Sequence, residues 1–161
     1  MAAAVVAAMG LALSMRTDMG YALASTQPVD LGDVARLEPS NLPTNEYVRL
    51  QGVAMASQTV QFSRALVGDF RIFPLAGQRT VYVQVPEGGQ AAMARSEFAG
   101  RLVTFNQLGG RYGNLVRYMD RELGLPVTGE SFLILADETP NSYRWTWVLG
   151  ALCVLFVLLD A

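Results

Sequence analysis

Residues 70–86 read Phe-Arg-Ile-Phe-Pro-Leu-Ala-Gly-Gln-Arg-Thr-Val-Tyr-Val-Gln-Val-Pro, and this stretch decides the fold of the middle of the chain. In its second half Val81, Val83 and Val85 alternate with Tyr82 and Gln84. Alternation of β-branched residues is the pattern of a strand with one buried face. Phe70 to Leu75 makes a partner strand. Pro74 stops it or confines it to an edge, because proline brings no N–H to a sheet ladder. Ala76-Gly77-Gln78 supplies the turn between the two. The stretch is therefore a β-hairpin.

Working outward, the same pattern recurs. Tyr47 to Gln51 alternates through Val48 and Leu50, and Gly52 follows as a bend. Thr59 to Ser63 alternates through Val60 and Phe62, Gly100 to Asn106 is another strand, and Ser131 to Ala136 is fully apolar. Gln90 to Glu97 is one helical turn or a loop. Tyr112, Leu115, Val116, Met119 and Leu123 recur at helical spacing, so Arg111 to Leu123 is an amphipathic helix that Gly124 and Pro126 stop. Gln27 to Asn45, rich in Pro, Gly and Asn, reads as a connector in which Asp30 and Asp33 cap a short turn at residues 34–37. Five or six short strands and one late helix predict an antiparallel β-barrel or curled sheet of OB-like proportions. Most strand aromatics are core; Tyr82 and Phe73 are candidates for an outward binding patch.

The two ends are apolar. Tyr143-Arg-Trp-Thr-Trp precedes an uncharged run from Val148 to Leu159. Tyr143, Trp145 and Trp147 form an aromatic girdle, and Arg144 can snorkel to headgroups. Trp145 to Ala161 reaches about 25 Å as a helix, against a hydrocarbon core of ~30 Å, so the natural helix is expected to extend further. Met1 to Met15 is also uncharged. It resembles a signal-peptide core, with Ala22-Leu23-Ala24 as a cleavage-like site, but lacks a basic start. It is read as an uncleaved transmembrane anchor. The resulting layout is transmembrane helix 1–25, connector 26–45, β-rich OB-like domain 46–142 and transmembrane helix 143–161, a membrane-anchored α+β chain. Two spans leave the middle on one side of a bacterial inner membrane, and export places it in the periplasm.

Composition excludes more chemistry than it suggests. The chain has no His, its 12 basic residues are all Arg, and net charge is −2. Without His or Lys there is no Ser-His, Cys-His or Ser-Lys site and no Schiff base. Zinc and haem lose their usual ligands, and the single Cys153 forbids an intrachain disulfide. No cofactor or metal is expected, and nucleic acid is a poor partner for so acidic a chain. Gly109-Gly110-Arg111-Tyr112-Gly113 is a glycine break before a helix rather than a phosphate loop. Carboxylate pairs (Asp137-Glu138, Asp30 with Asp33, Asp18 with Asp160) have no sequence reason to be buried together. An enzyme is not expected.

The stretches "YVRLQG" (47–52), "FRIFPLAGQRTVYVQVP" (70–86) and "FAGRLVTF" (98–105), set between two anchors, resemble the SURF1 family. The resemblance implies two transmembrane helices around an exported β-rich domain and a part in assembling haem–copper oxidases. Where that family has Arg-Gly-Trp this chain has Val85-Pro86-Glu87-Gly88, so no functional residue is carried over.

The chain is thus read as a non-catalytic accessory or assembly subunit of a larger respiratory or photosynthetic membrane complex. Its expected partners are other membrane subunits and the lipid bilayer. The small residues Ala3, Ala7 and Gly10 on the first helix and Gly150 and Ala151 on the second are candidate helix-contact positions. Arg16 and Asp18 join them, because charge within a span points at a protein partner or an aqueous cleft. Tyr143, Arg144, Trp145 and Trp147 anchor the membrane interface. A tethered OB-like module for a peptide, saccharide or lipid is the second reading, and an oxidase assembly factor is the third.

Overall fold

The hairpin of residues 70–86 forms, and it lies inside a seven-stranded sheet rather than at its margin. The computed structural model describes residues 2–64, 67–87 and 90–160. They divide into a sheet unit, residues 27–138, and a helical unit built from residues 1–26 and 139–161.

In the sheet unit the strands are β1 (Val29–Asp33), β2 (Glu46–Gln51), β3 (Val60–Arg64), β4 (Gly68–Leu75), β5 (Gln78–Pro86), β6 (Glu97–Thr104) and β7 (Phe132–Ala136). Their order is β1-β2-β6-β7-β5-β4-β3. Pairing is antiparallel except for β1 with β2 and β5 with β7. The sheet is open: β1 and β3 are its edges among the described residues, so the expected closed antiparallel barrel does not form. Inserting β7 parallel to β5, between the hairpin and β6, separates the two halves that a barrel would have joined in sequence order.

Both faces are buried. Along β5, Val81, Val83 and Val85 enter one core with Val48, Leu50, Phe73, Phe98 and Ile134. Tyr82 enters the opposite core with Ile72, Val103, Phe105, Tyr112, Met119 and Leu133. Helix α4 (Gly110–Arg121) covers that second face through Tyr112 and Met119. The first is covered by Val34, with Leu31, Leu37 and Leu42 packed against it. Tyr82 and Phe73, expected to form an outward patch, are both 0% exposed and lie in opposite cores. A sheet wrapped on both sides leaves no outward aromatic face at its centre.

Two local features depart from the sequence expectation. The connector contributes β1, which pairs in parallel with β2 through Val29↔Val48 and Asp30↔Arg49. Within it, Asp33 does cap the turn at residues 34–36, accepting from the Ala35 amide at 2.9 Å. Pro74 sits in an interior strand and is tolerated at an irregularity: the register slips between Pro74 and Leu75, and the Pro74 carbonyl takes the Met55 amide instead. Helix α3, Gln90–Met93, is the single turn that residues 90–97 suggested, and Gly88 and Gly89, expected to end the hairpin strand, lie outside the described residues.

In the helical unit the first apolar segment is not one helix over 1–25. It is α1 (Ala2–Ser14) followed by α2 (Arg16–Ala22). At the junction the Ser14 hydroxyl donates to the Leu11 carbonyl at 2.7 Å, and the Met15 amide is shared between Leu11 and Ala12. Such hydroxyl back-bonding loosens the regular helical ladder. The apolar part, Val5–Ser14, is short for a span, whereas residues 140–159, which include α5 (Trp145–Asp160), are long and apolar enough to cross a membrane. Helix lengths among the described residues thus supply one candidate span where two were expected.

Candidate functional site

Two places in the molecule gather features of use, one in each unit. The first is the helix pair of α1–α2 with α5. Its seam is Met15, Tyr21, Thr146 and Cys153, all buried. The Tyr21 and Tyr143 rings meet edge to face at 5.2 Å. Trp147 Nε1 donates to the Met19 carbonyl at 3.2 Å. Gly150 is buried, and a Cβ there would meet Met19 Cε at 2.9 Å. Gly150 therefore serves packing within the chain.

The other predicted contact residues are placed differently. Ala7, Arg16 and Ala151 are exposed, and a Cβ on exposed Gly10 would meet nothing within 4 Å. Asp18 is half-buried, and Ala3 lies in α1 with its side chain outside the described residues. Among the anchors Tyr143 is half-buried, while Arg144, Trp145 and Trp147 are exposed. Arg16, Gly150, Ala151 and Trp147 come together on one apolar groove of about 550 Å³, with Ala12, Leu13, Met19 and Leu155. Beyond it Val6, Met9, Val148, Leu152, Phe156 and Leu159 are all exposed. This much exposed apolar surface suits lipid or a protein partner, not water. The residues missed from sequence are Met19, Tyr21 and Thr146. Their signal was weak, because a methionine, a tyrosine and a threonine in or beside apolar runs look like span or interface residues.

The second place is a cavity of about 510 Å³ in the sheet unit. It is enclosed by the turn around Met55 and Gln58, the β4–β5 hairpin from Pro74 to Arg79, Tyr82, and Gly124 to Pro126 after α4. Tyr82 stands on β5 with its ring edge-on to Phe105 at 5.8 Å. Its hydroxyl is shut off from solvent and has no hydrogen-bond partner among the described residues, and neither has the Thr80 hydroxyl two positions earlier. Burial first, and the Asp120 carboxylate second, push the Tyr82 pKa up to about 12. The phenol is therefore neutral at physiological pH and able to donate. Tyr112, on the same face, makes a telling contrast. Burial also raises its pKa, but its hydroxyl donates to Gln84 Oε1 at 2.7 Å, satisfying a buried amide. Arg79, at the cavity, is exposed and has no carboxylate partner among the described residues.

Three of the carboxylates weighed in the sequence, Asp30, Asp33 and Asp137, hold local structure. Asp30 holds the Gly32 amide and pairs with Arg49 at 3.3 Å, and Asp137 pairs with Arg95 at 2.9 Å. Gly109, at φ +67°, is the residue before α4, in a conformation that favours glycine. Among the described residues no three His, Cys, Asp or Glu side chains cluster as a metal site would require. Comparison of the chain with protein-family models, with curated proteins and with solved structures gave no match in any of the three.

Proposed function

We propose that this chain is a non-catalytic accessory or assembly subunit of a larger bacterial membrane complex. The helix of residues 140–159 crosses the inner membrane with α1 and α2 packed beside it, and the sheet unit lies on the periplasmic side. The observation that carries this reading is the exposed apolar surface of the helix pair, with Arg16 set in a groove beside Leu13, Ala151 and Leu155. A guanidinium in that setting favours a carboxylate from a neighbouring helix or a lipid phosphate at the surface. Ala7, Gly10 and Ala151 leave room there for a helix to approach closely. The host complex is respiratory or photosynthetic; the sequence resemblance to the SURF1 family favours a haem–copper oxidase among the former.

Extraction in a mild detergent, followed by native electrophoresis and mass spectrometry of co-migrating proteins, tests the proposal. Wild type should migrate with defined membrane partners. Gly10→Trp and Ala151→Trp should lose them while the helical content is retained. Migration as a lone monomer in every mild detergent would sink the reading.

A second reading, a tethered binding module, draws support from the sheet-unit cavity. The two are compatible in one protein, since they use different units.

A further inference from the structure

The groove shared by α1–α2 and α5 is long, narrow and charged at one end. It follows α5 from Trp147 to Leu158, about 16 Å at ~1.5 Å per residue. One leaflet is half of the ~30 Å hydrocarbon core, so the groove is about as long as a leaflet is deep. Its volume of about 550 Å³ over that length is a cross-section of about 35 Å², against ~80 Å² or more for a helix 10–12 Å across. A strand of methylenes fits that section and a whole helix does not. The lining suits methylenes too. Ala12, Gly150 and Ala151 are small, Leu13, Leu155 and Leu158 are apolar, and the one indole N–H, on Trp147, is taken by the Met19 carbonyl.

Charge narrows the occupant further. Arg16 is the one charged residue that lines the groove among the described residues; it is exposed and makes no ion pair there. The Trp147–Met19 hydrogen bond puts those two residues at one level, and Arg16 stands about one helical turn from Met19. The cation therefore sits toward the Trp147 end, where a long side chain can reach the membrane surface, and the stretch toward Leu158 is apolar throughout. No carboxylate lines the groove. Asp18, two positions on, is half-buried and outside it, and residues two apart on a helix do not face each other. A phosphate thus meets a guanidinium that is free to bind it, while an ammonium in the same headgroup meets no acid. That balance selects an anionic headgroup over a zwitterionic one.

We propose that this groove holds one anionic phospholipid, its phosphate on Arg16 and one acyl chain laid along Ala151, Leu155 and Leu158. This rests on the first reading above, in which the helix pair lies in the membrane, and it assigns Arg16 to lipid rather than to a carboxylate of a neighbouring helix.

Trp147, which lines the groove, is the reporter. The full chain carrying Trp145→Phe, so that Trp147 is its one tryptophan, is reconstituted into phosphatidylcholine vesicles. A small fraction of the lipid is then exchanged for phosphatidylglycerol or phosphatidylcholine brominated along the acyl chain, which quenches indole fluorescence on contact. Brominated phosphatidylglycerol should occupy the site about fivefold more readily than brominated phosphatidylcholine at equal fraction, the factor expected of one basic residue at a membrane surface. Arg16→Gln should bring that ratio close to one, and Arg16→Lys should keep most of it. Arg144→Gln, which removes an exposed cation outside the groove, should leave it unchanged. Equal quenching by the two lipids, or a preference that survives Arg16→Gln and disappears with Arg144→Gln, overturns the lipid site; quenching by both lipids would still leave the helix pair in the membrane. If neither lipid quenches Trp147, the membrane reading of the helix pair falls as well.

Discussion

Replacing Tyr82 with phenylalanine should make the protein more stable, and increasingly so as the solution becomes alkaline. The hydroxyl is fully buried and unpartnered, so the native state carries its desolvation cost without a compensating bond. Removing a buried unsatisfied polar group returns ~1–3 kcal/mol, offset in part by the small gap the oxygen leaves, for a net gain of about 1 kcal/mol near pH 7. The alkaline part follows from linkage. In the folded chain burial pushes the Tyr82 pKa up to about 12 from the ordinary phenol value of 10.0. Between those values the unfolded chain releases the phenolic proton and the native chain keeps it. That contribution to stability is intact below about pH 10 and is lost as pH rises through 12. Its full size is on the order of 3 kcal/mol, absent from the variant, so the gap between variant and wild type should widen by that amount across the window. Urea melts of the full chain in detergent, followed by far-ultraviolet circular dichroism, measure both. Tryptophan fluorescence would not, because Trp145 and Trp147 both report on the helical unit. A variant less stable than wild type by 1 kcal/mol or more at pH 7 (~1.4 kcal/mol being a tenfold change in the equilibrium) would show that the hydroxyl has a partner. A gap that stays flat between pH 10 and 12 would refute the burial argument.

Other substitutions probe the same framework. Tyr112→Phe should act oppositely to Tyr82→Phe, costing about 1–2 kcal/mol in the same melts, because it strips the partner from buried Gln84. Gly100→Ala should cost on the order of 4 kcal/mol or abolish soluble accumulation, since the new Cβ would lie 2.1 Å from the Leu135 carbonyl oxygen in β7 and backbone cannot rotate away; a loss under ~1 kcal/mol contradicts the register. Gly150→Ala should be nearly neutral, as the flexible Met19 side chain can yield, whereas Gly150→Ile should part α5 from α2, break the Trp147–Met19 hydrogen bond and shift tryptophan emission. Asp137→Asn should change stability by less than ~0.5 kcal/mol, because its pairing with Arg95 is exposed and asparagine accepts a positive φ.

Where the sequence could be read, a periodicity made it legible. Six of the seven strands and α4 announce themselves because one face of each is apolar at the strand or helix period. β1 did not, since five residues carrying Gly32 at φ +71° and two aspartates look like a turn, and only pairing to β2 makes them a strand. Closure was misjudged for a related reason. Alternation says which way a side chain points, not which strand lies alongside, and the parallel insertion of β7 next to β5 leaves no mark on either strand. The helical ends show the same limit. Hydropathy marked them both as apolar, but the break at Met15 depends on Ser14 bonding back to Leu11, one hydroxyl among fifteen residues.

The candidate sites divide along the same line. Gly10, Arg16 and Ala151 were singled out because size and charge are properties of single residues, and the fold leaves them on the surface of the helix pair. Tyr82 was noticed for a wrong reason, as an outward aromatic, and matters for the opposite one. Its interest comes from what its neighbours fail to provide, and an unmet hydrogen bond is a property of an environment that no window of sequence contains. The Tyr82–Tyr112 pair makes the point within a single face of one sheet: two buried phenols, one answered by Gln84 and one by nothing. The Thr80 hydroxyl and Arg49 Nε are buried and unmet in the same way, so such gaps are set by local packing and not by the type of side chain. The opposite signs expected for the two Tyr→Phe variants read that difference directly: loss of a met hydroxyl costs stability and loss of an unmet one returns it.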